Sequence, residues 1–408
     1  MVYSLFHHRS PAIWLSLVCV VLVILLWPPM LEKVISLNWK ICDMHPIVLG
    51  TQSLMAVMAI IILVNWRQVN TRFHKYVPSG KTLIFALVTV SVSTSLCLAA
   101  MELYMRFFHD PLRVTWEPAD YKRVQYDPIL GWTYIPNQSV MQTFVKGQPP
   151  VPVHINTQGI RVPKPDTWID PNAPTVIFIG CSYTMGFGLP FEDTFIGQLA
   201  AYPNFPYQVV NLGVEAYGTD QAWLRLQRYM YDFNTIAVVY TFLPDHVERN
   251  QNYDRRLLFH GVRMVGTKPL FGLKRDGSVY LKRPPVRLED YSYLRLWVIA
   301  QRAWLKWGPG PSLQLSHALI NAMGQEVERA GAVFILVYWS FWEDDGAIAY
   351  PILDKITFPI VDLCAQHPLG WRDMRLPNNN SHPNAQAGAY AANRLAAKFI
   401  ELGLMPAD

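Results

Sequence analysis

Three stretches near the N-terminus, Ser10 to Leu31, Met44 to Trp66 and Thr82 to Met101, hold no Asp, Glu, Lys or Arg. Each reaches the roughly 20 apolar residues a helix needs to cross a bilayer, so the pattern predicts a three-helix transmembrane anchor over residues 1–105. A cleaved signal peptide is the alternative for the first run, but Trp27-Pro28-Pro29 follows it in place of small cleavage-site residues. Arg67, Arg72, Lys75 and Lys81 lie between runs two and three, whereas Glu32, Lys33, Lys40 and Asp43 cancel between runs one and two. Basic loops stay cytoplasmic, so everything after Glu102 is expected on the outer side of an inner or plasma membrane, in a periplasm or its equivalent. Thr89, Ser91, Ser93, Thr94 and Ser95 in the third run suit close helix packing, within the anchor or against a membrane protein partner.

After the anchor the texture changes. Residues 106–170 are punctuated by Pro and Gly every few positions, which predicts short strands and turns in a small β-rich connector packed on the next domain. From Pro174 apolar runs alternate with amphipathic ones. Candidate strands are Thr175-Ile179, Gln208-Leu212, Ile236-Phe242 and Val333-Trp339; candidate helices are Phe191-Ala201, Thr219-Tyr231, Ser316-Ala330 and Ala385-Ile400. That alternation predicts an α/β domain over 171–408, a parallel sheet flanked by helices, with any site at the carboxyl ends of the strands. An insertion over 250–311 interrupts it. There Asp276-Gly277 between alternating apolar residues signals a hairpin, and Trp297, Trp304 and Trp307 fall at helix-like intervals. Packing of those aromatics onto the core is the expectation, and binding of sugar or lipid the alternative.

Of 408 residues 51% are apolar and 16% charged, an excess of apolar residues that sits in the three N-terminal runs. The formal net charge of +5 is spread out, with no basic, aromatic-interleaved patch to suggest nucleic acid. Cys19, Cys42, Cys97, Cys181 and Cys364 make no disulfide framework, and no CxxC or His-x-x-x-His spacing points to a metal or cofactor.

The chemistry concentrates in Gly180-Cys181-Ser182-Tyr183-Thr184-Met185-Gly186-Phe187-Gly188, which follows the strand Thr175-Ile179 and so presents a serine at a strand end. Asn211-Leu212-Gly213-Val214-Glu215-Ala216-Tyr217-Gly218 follows the next strand, Leu243-Pro244-Asp245-His246 the third, and Ser381-His382-Pro383-Asn384 precedes the last helix. The first, second and last of these blocks together resemble the SGNH/GDSL hydrolase family over roughly Pro174 to Ala407. The α/β-hydrolase elbow is not matched, because its second glycine would fall on Thr184.

The resemblance implies a flavodoxin-like SGNH-hydrolase domain with Ser182 as nucleophile and first oxyanion donor through its amide, and His382 as general base. Its second oxyanion donor is an amide near Ala216 and Gly218, the family's glycine falling on Ala216. Its third donor, an Asn side chain, is missing from the block holding Asp245 and His246, where His246 or a nearby side chain is the candidate substitute and Asp245 a candidate substrate-binding residue. The acid usually two or three residues before the histidine is replaced by Asn379 and Asn380. Asp373 reaching in from upstream, or a backbone carbonyl in a Ser-His dyad, are the two substitutes.

The expected function is a serine esterase acting on acyl, chiefly O-acetyl, esters of cell-envelope glycans through an acyl-serine, resolved by water or by a sugar hydroxyl. A non-catalytic envelope component binding glycan or a membrane partner is the alternative from another class, and a lipid or thioester hydrolase a further one. No cofactor is expected.

Overall fold

The structure is a computed structural model describing residues 80–118, 121–290, 294–307, 312–341, 346–365, 373–378 and 380–406, with scattered positions between 57 and 71. The first expected span lies outside the described residues and the second almost wholly so. The third falls in helix α1 (Gly80–Phe108). Among the described residues no helix is long and apolar enough to cross a membrane.

The chain next forms β1 (Val124–Asp127) and β2 (Gly131–Tyr134), an antiparallel pair. Then come β3 (Gln138–Gln142), β4 (Val151–Ile155), β5 (Arg161–Val162), β6 (Thr175–Ile179), α2 (Ser182–Met185), α3 (Phe195–Ala200) and β7 (Gln208–Asn211). Helix α4 (Thr219–Tyr229), β8 (Thr235–Phe242) and α5 (Asp245–Gln251) follow, then the hairpin β9 (Leu270–Leu273) and β10 (Val279–Arg283) expected from Asp276-Gly277. The chain continues through α6 (Arg295–Trp307), α7 (Leu313–Arg329), β11 (Val333–Tyr338), α8 (Gly346–Leu353), β12 (Ile360–Asp362) and α9 (Ala385–Glu401).

Contacts divide the chain into two units, one of Met1–Arg113 with Tyr293–Gly310, the other of Val114–Ser292 with Pro311–Asp408. In the first, Glu102 of α1 accepts the backbone N–H groups of Arg295 and Leu296 and so caps α6. Asp110 takes the Arg295 guanidinium at 2.6 Å. Trp297, Trp304 and Trp307 are 55%, 67% and 54% exposed, so the expectation that they pack on the core is corrected. Val298 turns the other way and is buried, so the apolar character of α6 is split between two faces.

The second unit is built on a sheet that, among the described residues, has eight strands in the order β12-β11-β8-β6-β7-β5-β4-β3. The five from β12 to β7 are parallel, as their apolar runs predict. The connector differs from expectation: β5 pairs antiparallel with the edge of β7, and β4 and β3 extend it, so these strands complete a mixed sheet rather than pack on it as a separate subdomain. An open parallel edge leaves backbone groups unpaired, and the connector strands pair with them.

Both faces of the parallel region are covered. Val176 and Phe178 of β6 pack with Phe195 and Leu199 of α3 and Ala391 and Leu395 of α9. Ile177 and Ile179, pointing oppositely, meet Leu226 of α4 and Ile320, Met323 and Val327 of α7. From β6 the chain goes to β7 on one side and then to β8 on the other, which opens a crevice at the carboxyl end of β6.

Candidate active site

Ser182 is the first residue of α2, directly beyond that crevice, and is 7% exposed. The turn holding it is tied down from two directions. The Asn211 side chain donates to Thr184 O at 3.0 Å and its Oδ1 accepts from Gly213 N at 3.0 Å, joining the nucleophile turn to the loop after β7. A Cβ on Gly213 would sit 2.3 Å from the Met185 nitrogen, so only glycine permits this approach. From β5, the buried guanidinium of Arg161 donates to the carbonyls of Met185, Gly186 and Leu189, the last at 2.6 Å, closing the end of α2. Burial lowers the Arg161 pKa to about 10, still charged at neutral pH.

The terminal histidine block is held by a short tie between two strands of loop. Leu376 N donates to His382 O at 2.8 Å, Asn384 N to Met374 O at 3.0 Å, and Asn384 also caps α9 by accepting from Ala387 N. His382 Nε2 thereby comes within 2.8 Å of Ser182 Oγ, bringing together the predicted nucleophile and base. Its ring stacks on Phe187 at a centroid distance of 4.0 Å.

The partner on the far side of the ring is Asn380, whose Oδ1 lies 2.7 Å from His382 Nδ1. The same Oδ1 accepts the backbone N–H of His382 at 3.0 Å. A backbone N–H only donates, so that atom is the amide oxygen, and Nδ1 must carry the proton. Nε2 is then left with a lone pair facing the serine hydroxyl, the tautomer a general base needs. Asp373 is corrected: its side chain is exposed, and it serves Asn384 through its backbone carbonyl at 2.6 Å. Asn379 lies outside the described residues.

Burial, and after it repulsion by Arg249, push the His382 pKa down from 6.5 to about 3, with Asp245 pulling weakly the other way. Among the described residues no carboxylate touches the ring to oppose this, and it stays neutral at physiological pH.

Neither the Ser182 nor the Ala216 N–H finds an acceptor among the described residues, as two oxyanion donors would require. Ala216 sits at φ +64°, the left-handed region, and an alanine there is strained. Gly218 is corrected, because its N–H is directed to Gln221 Oε1 at 3.3 Å at the start of α4. His246 is corrected too. It is fully buried, with Nδ1 2.8 Å from the Tyr240 hydroxyl, and it does not line the cavity at Ser182. Asp245 is largely exposed at its side chain and reaches the site indirectly, holding Arg249 at 3.0 Å.

Arg249 and Arg255 are the site residues that sequence reading missed. With Ser182, His382, Glu215 and Ala216 they line a cavity of about 450 Å³ whose remaining wall is largely apolar and aromatic, including Trp116, Phe144, Phe187 and Phe259. Arg249 is anchored by donating to Tyr217 O at 3.1 Å as well as to Asp245. Burial disfavours its charge, but Asp245 and Cys181 outweigh this and hold its pKa above the ordinary value. A signal was present in the spacing: Arg249 lies one helical turn beyond Asp245 on α5, the reach of an i, i+4 ion pair.

No family model matches the sequence, and no curated protein does. Among solved structures the chain is similar to a member of the lipolytic protein G-D-S-L family from Veillonella parvula DSM 2008, at 10% identity over 56% of this chain and 98% of that one, TM-score 0.32. It is also similar to an acetylxylan esterase from Geobacillus stearothermophilus, at 13% identity over 56% and 93%, TM-score 0.33. A third is a psychrotrophic esterase from Pseudoalteromonas sp., at 11% identity over 56% and 97%, TM-score 0.32. Likenesses of this extent say nothing of substrate or activity, which rest on the side chains.

Proposed function

We propose that the protein is a serine esterase of SGNH type, membrane-anchored with its α/β domain outside the cytoplasm, acting on acyl esters of envelope glycans. The observation that carries this reading is the 2.8 Å contact between His382 Nε2 and Ser182 Oγ, with the Nδ1 proton fixed on Asn380. In the first half-reaction Ser182 Oγ attacks the ester carbonyl carbon while its proton passes to His382 Nε2. The carbonyl oxygen, now an oxyanion, is met by the amides of Ser182 and Ala216, and Arg249 supplies positive field where the family's asparagine is missing. Collapse expels the alcohol oxygen, which takes the proton from His382, leaving an acyl-serine. Water, or a sugar hydroxyl in a transferase, then attacks the acyl carbon by the reverse sequence and frees Ser182.

A neutral ring whose pKa lies near 3 is a weak base, and an amide cannot stabilise the imidazolium as a carboxylate does, so turnover is expected to be slow. Residues of the insertion, Phe259, Val262 and Met264, form apolar wall in the same cavity as Ser182. That favours a second reading, hydrolysis of longer-chain acyl esters.

The test is fluorophosphonate labelling and p-nitrophenyl ester hydrolysis by the full-length protein in mild detergent. Labelling and turnover should both vanish in Ser182→Ala and fall steeply in His382→Ala. A folded wild type that neither labels nor turns over would overturn the esterase. A rate rising from acetate to octanoate would favour the second reading over O-acetyl esters.

A further inference from the structure

Arg255 is 1% exposed, yet no nitrogen of its guanidinium has a hydrogen-bond partner among the described residues. It lines the cavity that holds Ser182 and His382. Its surroundings do not answer the charge. The Phe259 ring lies 4.9 Å from its Cζ, while Asp254, the adjoining carboxylate, is taken by Arg256 at 2.7 Å. Of the acids within electrostatic reach, Asp220 is held by Lys268 and Asp245 by Arg249, while Glu248 is exposed on α5 and bonds none of the three guanidinium nitrogens; Arg249 repels Arg255. The other charged groups on the cavity wall pair with each other or with neighbours: Glu215 with Arg123 at 3.3 Å and Arg263 with Glu117 at 2.9 Å.

An arginine does not shed its proton in a protein, and a buried charge with no counter-charge destabilises the fold that contains it. The guanidinium fork is shaped for a planar carboxylate, which it grips with two parallel N–H donors. One unanswered positive charge balances one negative charge, which suits a carboxylate better than a doubly charged phosphate monoester. Trp116, Tyr121 and Phe259 line the same cavity, aromatic surface of the kind against which the C–H faces of a sugar pack.

We infer that Arg255 is the recognition group for a substrate carboxylate, and that the ester cleaved at Ser182 is carried by a uronic-acid-type sugar. This rests on the serine esterase reading and narrows its substrate to acidic glycans.

The experiment compares acetylated glucuronic acid with acetylated glucose as substrates of the full-length protein, in wild type, Arg255→Gln and Arg255→Lys. Wild type should favour the acidic sugar by about ten-fold or more in kcat/KM, mostly through KM. In Arg255→Gln the ratio should fall to about one, with Arg255→Lys between, because lysine keeps the charge but not the fork. Free glucuronate should inhibit p-nitrophenyl acetate hydrolysis by wild type and not by Arg255→Gln. Removing an unanswered buried charge should leave the melting temperature unchanged or raise it. A large drop in melting temperature, with the preference intact in a folded Arg255→Lys, would make Arg255 structural and overturn the inference. Equal rates on the two sugars, or inhibition by inorganic phosphate but not by glucuronate, would also overturn it. Fluorophosphonate labelling separates the two readings: a labelled enzyme without the preference refutes only the acidic-sugar inference, whereas an unlabelled folded protein refutes the esterase itself.

Discussion

Oδ1 of Asn380 lies 2.7 Å from Nδ1 of His382 and also accepts that residue's backbone N–H, so a neutral amide orients the base where a carboxylate would both orient and charge-balance it. The geometry of a triad is present without its negative charge. Replacing Asn380 by Asp should therefore raise kcat/KM on p-nitrophenyl acetate, by about 10- to 100-fold, short of the roughly 10⁴ separating the two residues in serine proteases. Steady-state kinetics check it, and an unchanged or lower rate in a folded Asn380→Asp protein would argue against His382 as base.

The pH dependence follows from the direction of the His382 shift. With the folded pKa near 3, the rate should show no acid limb centred on the ordinary imidazole value of 6.5. For stability the sign runs the same way. Between pH 6.5 and about 3 the unfolded ring binds a proton and the folded ring does not, so this contribution is full above pH 6.5 and is lost as pH falls through that window. Urea-unfolding midpoints measured across it should decline more steeply for wild type than for His382→Gln.

Ala216, at φ +64°, holds an L-residue where glycine is at ease. Ala216→Gly should stabilise the protein by about 1 kcal/mol, the relief of left-handed strain less the added freedom of the unfolded glycine. It should retain fluorophosphonate labelling because the amide survives. Ala216→Val, a β-branched residue in the same left-handed conformation, should destabilise the protein, with chemical denaturation as the readout.

Lys268 and Asp220 form a fully buried ion pair that fastens the insertion to the start of α4. Burial pushes the Asp220 pKa up and the Lys268 pKa down, each against the attraction of the other. Lys268→Met alone should cost about 3–5 kcal/mol because a lone buried carboxylate remains. Lys268→Met with Asp220→Leu should recover most of that loss, as a double-mutant cycle in urea would show.

Arg161 closes the end of the nucleophile helix with three carbonyl contacts. Arg161→Met should destabilise the fold by about 3 kcal/mol or more, since buried acceptors lose charged donors. Its rate of fluorophosphonate labelling should fall even in the folded fraction. Normal labelling there would show that the turn is rigid without this arginine.

Much of the fold was legible in the chain because period and burial are coupled locally. The run Thr175-Ile179 is β6 as expected, and the predicted helices beginning at Thr219 and Ala385 begin there. The connector was legible as strands but not as part of the main sheet, since the pairing of β5 with β7 joins segments far apart in sequence. Helix-like spacing located α6, yet it could not say that Trp297, Trp304 and Trp307 face outward, because spacing defines a stripe and not what the stripe meets.

The amino-acid order by itself determined the strand and helix alternation, the serine beyond β6 and the histidine before α9, because each of these is written in consecutive residues. Tertiary structure alone decided that Asn380 and not Asp373 turns the imidazole, that Gly218 caps a helix while Ala216 bears the strain, and that Arg255 reaches the cavity unanswered. Those outcomes depend on loop direction and on which side chains converge after distant strands have paired. A loop residue's partner is fixed by positions up to 200 residues away, as Ser182 and His382 show, and no local pattern encodes that distance.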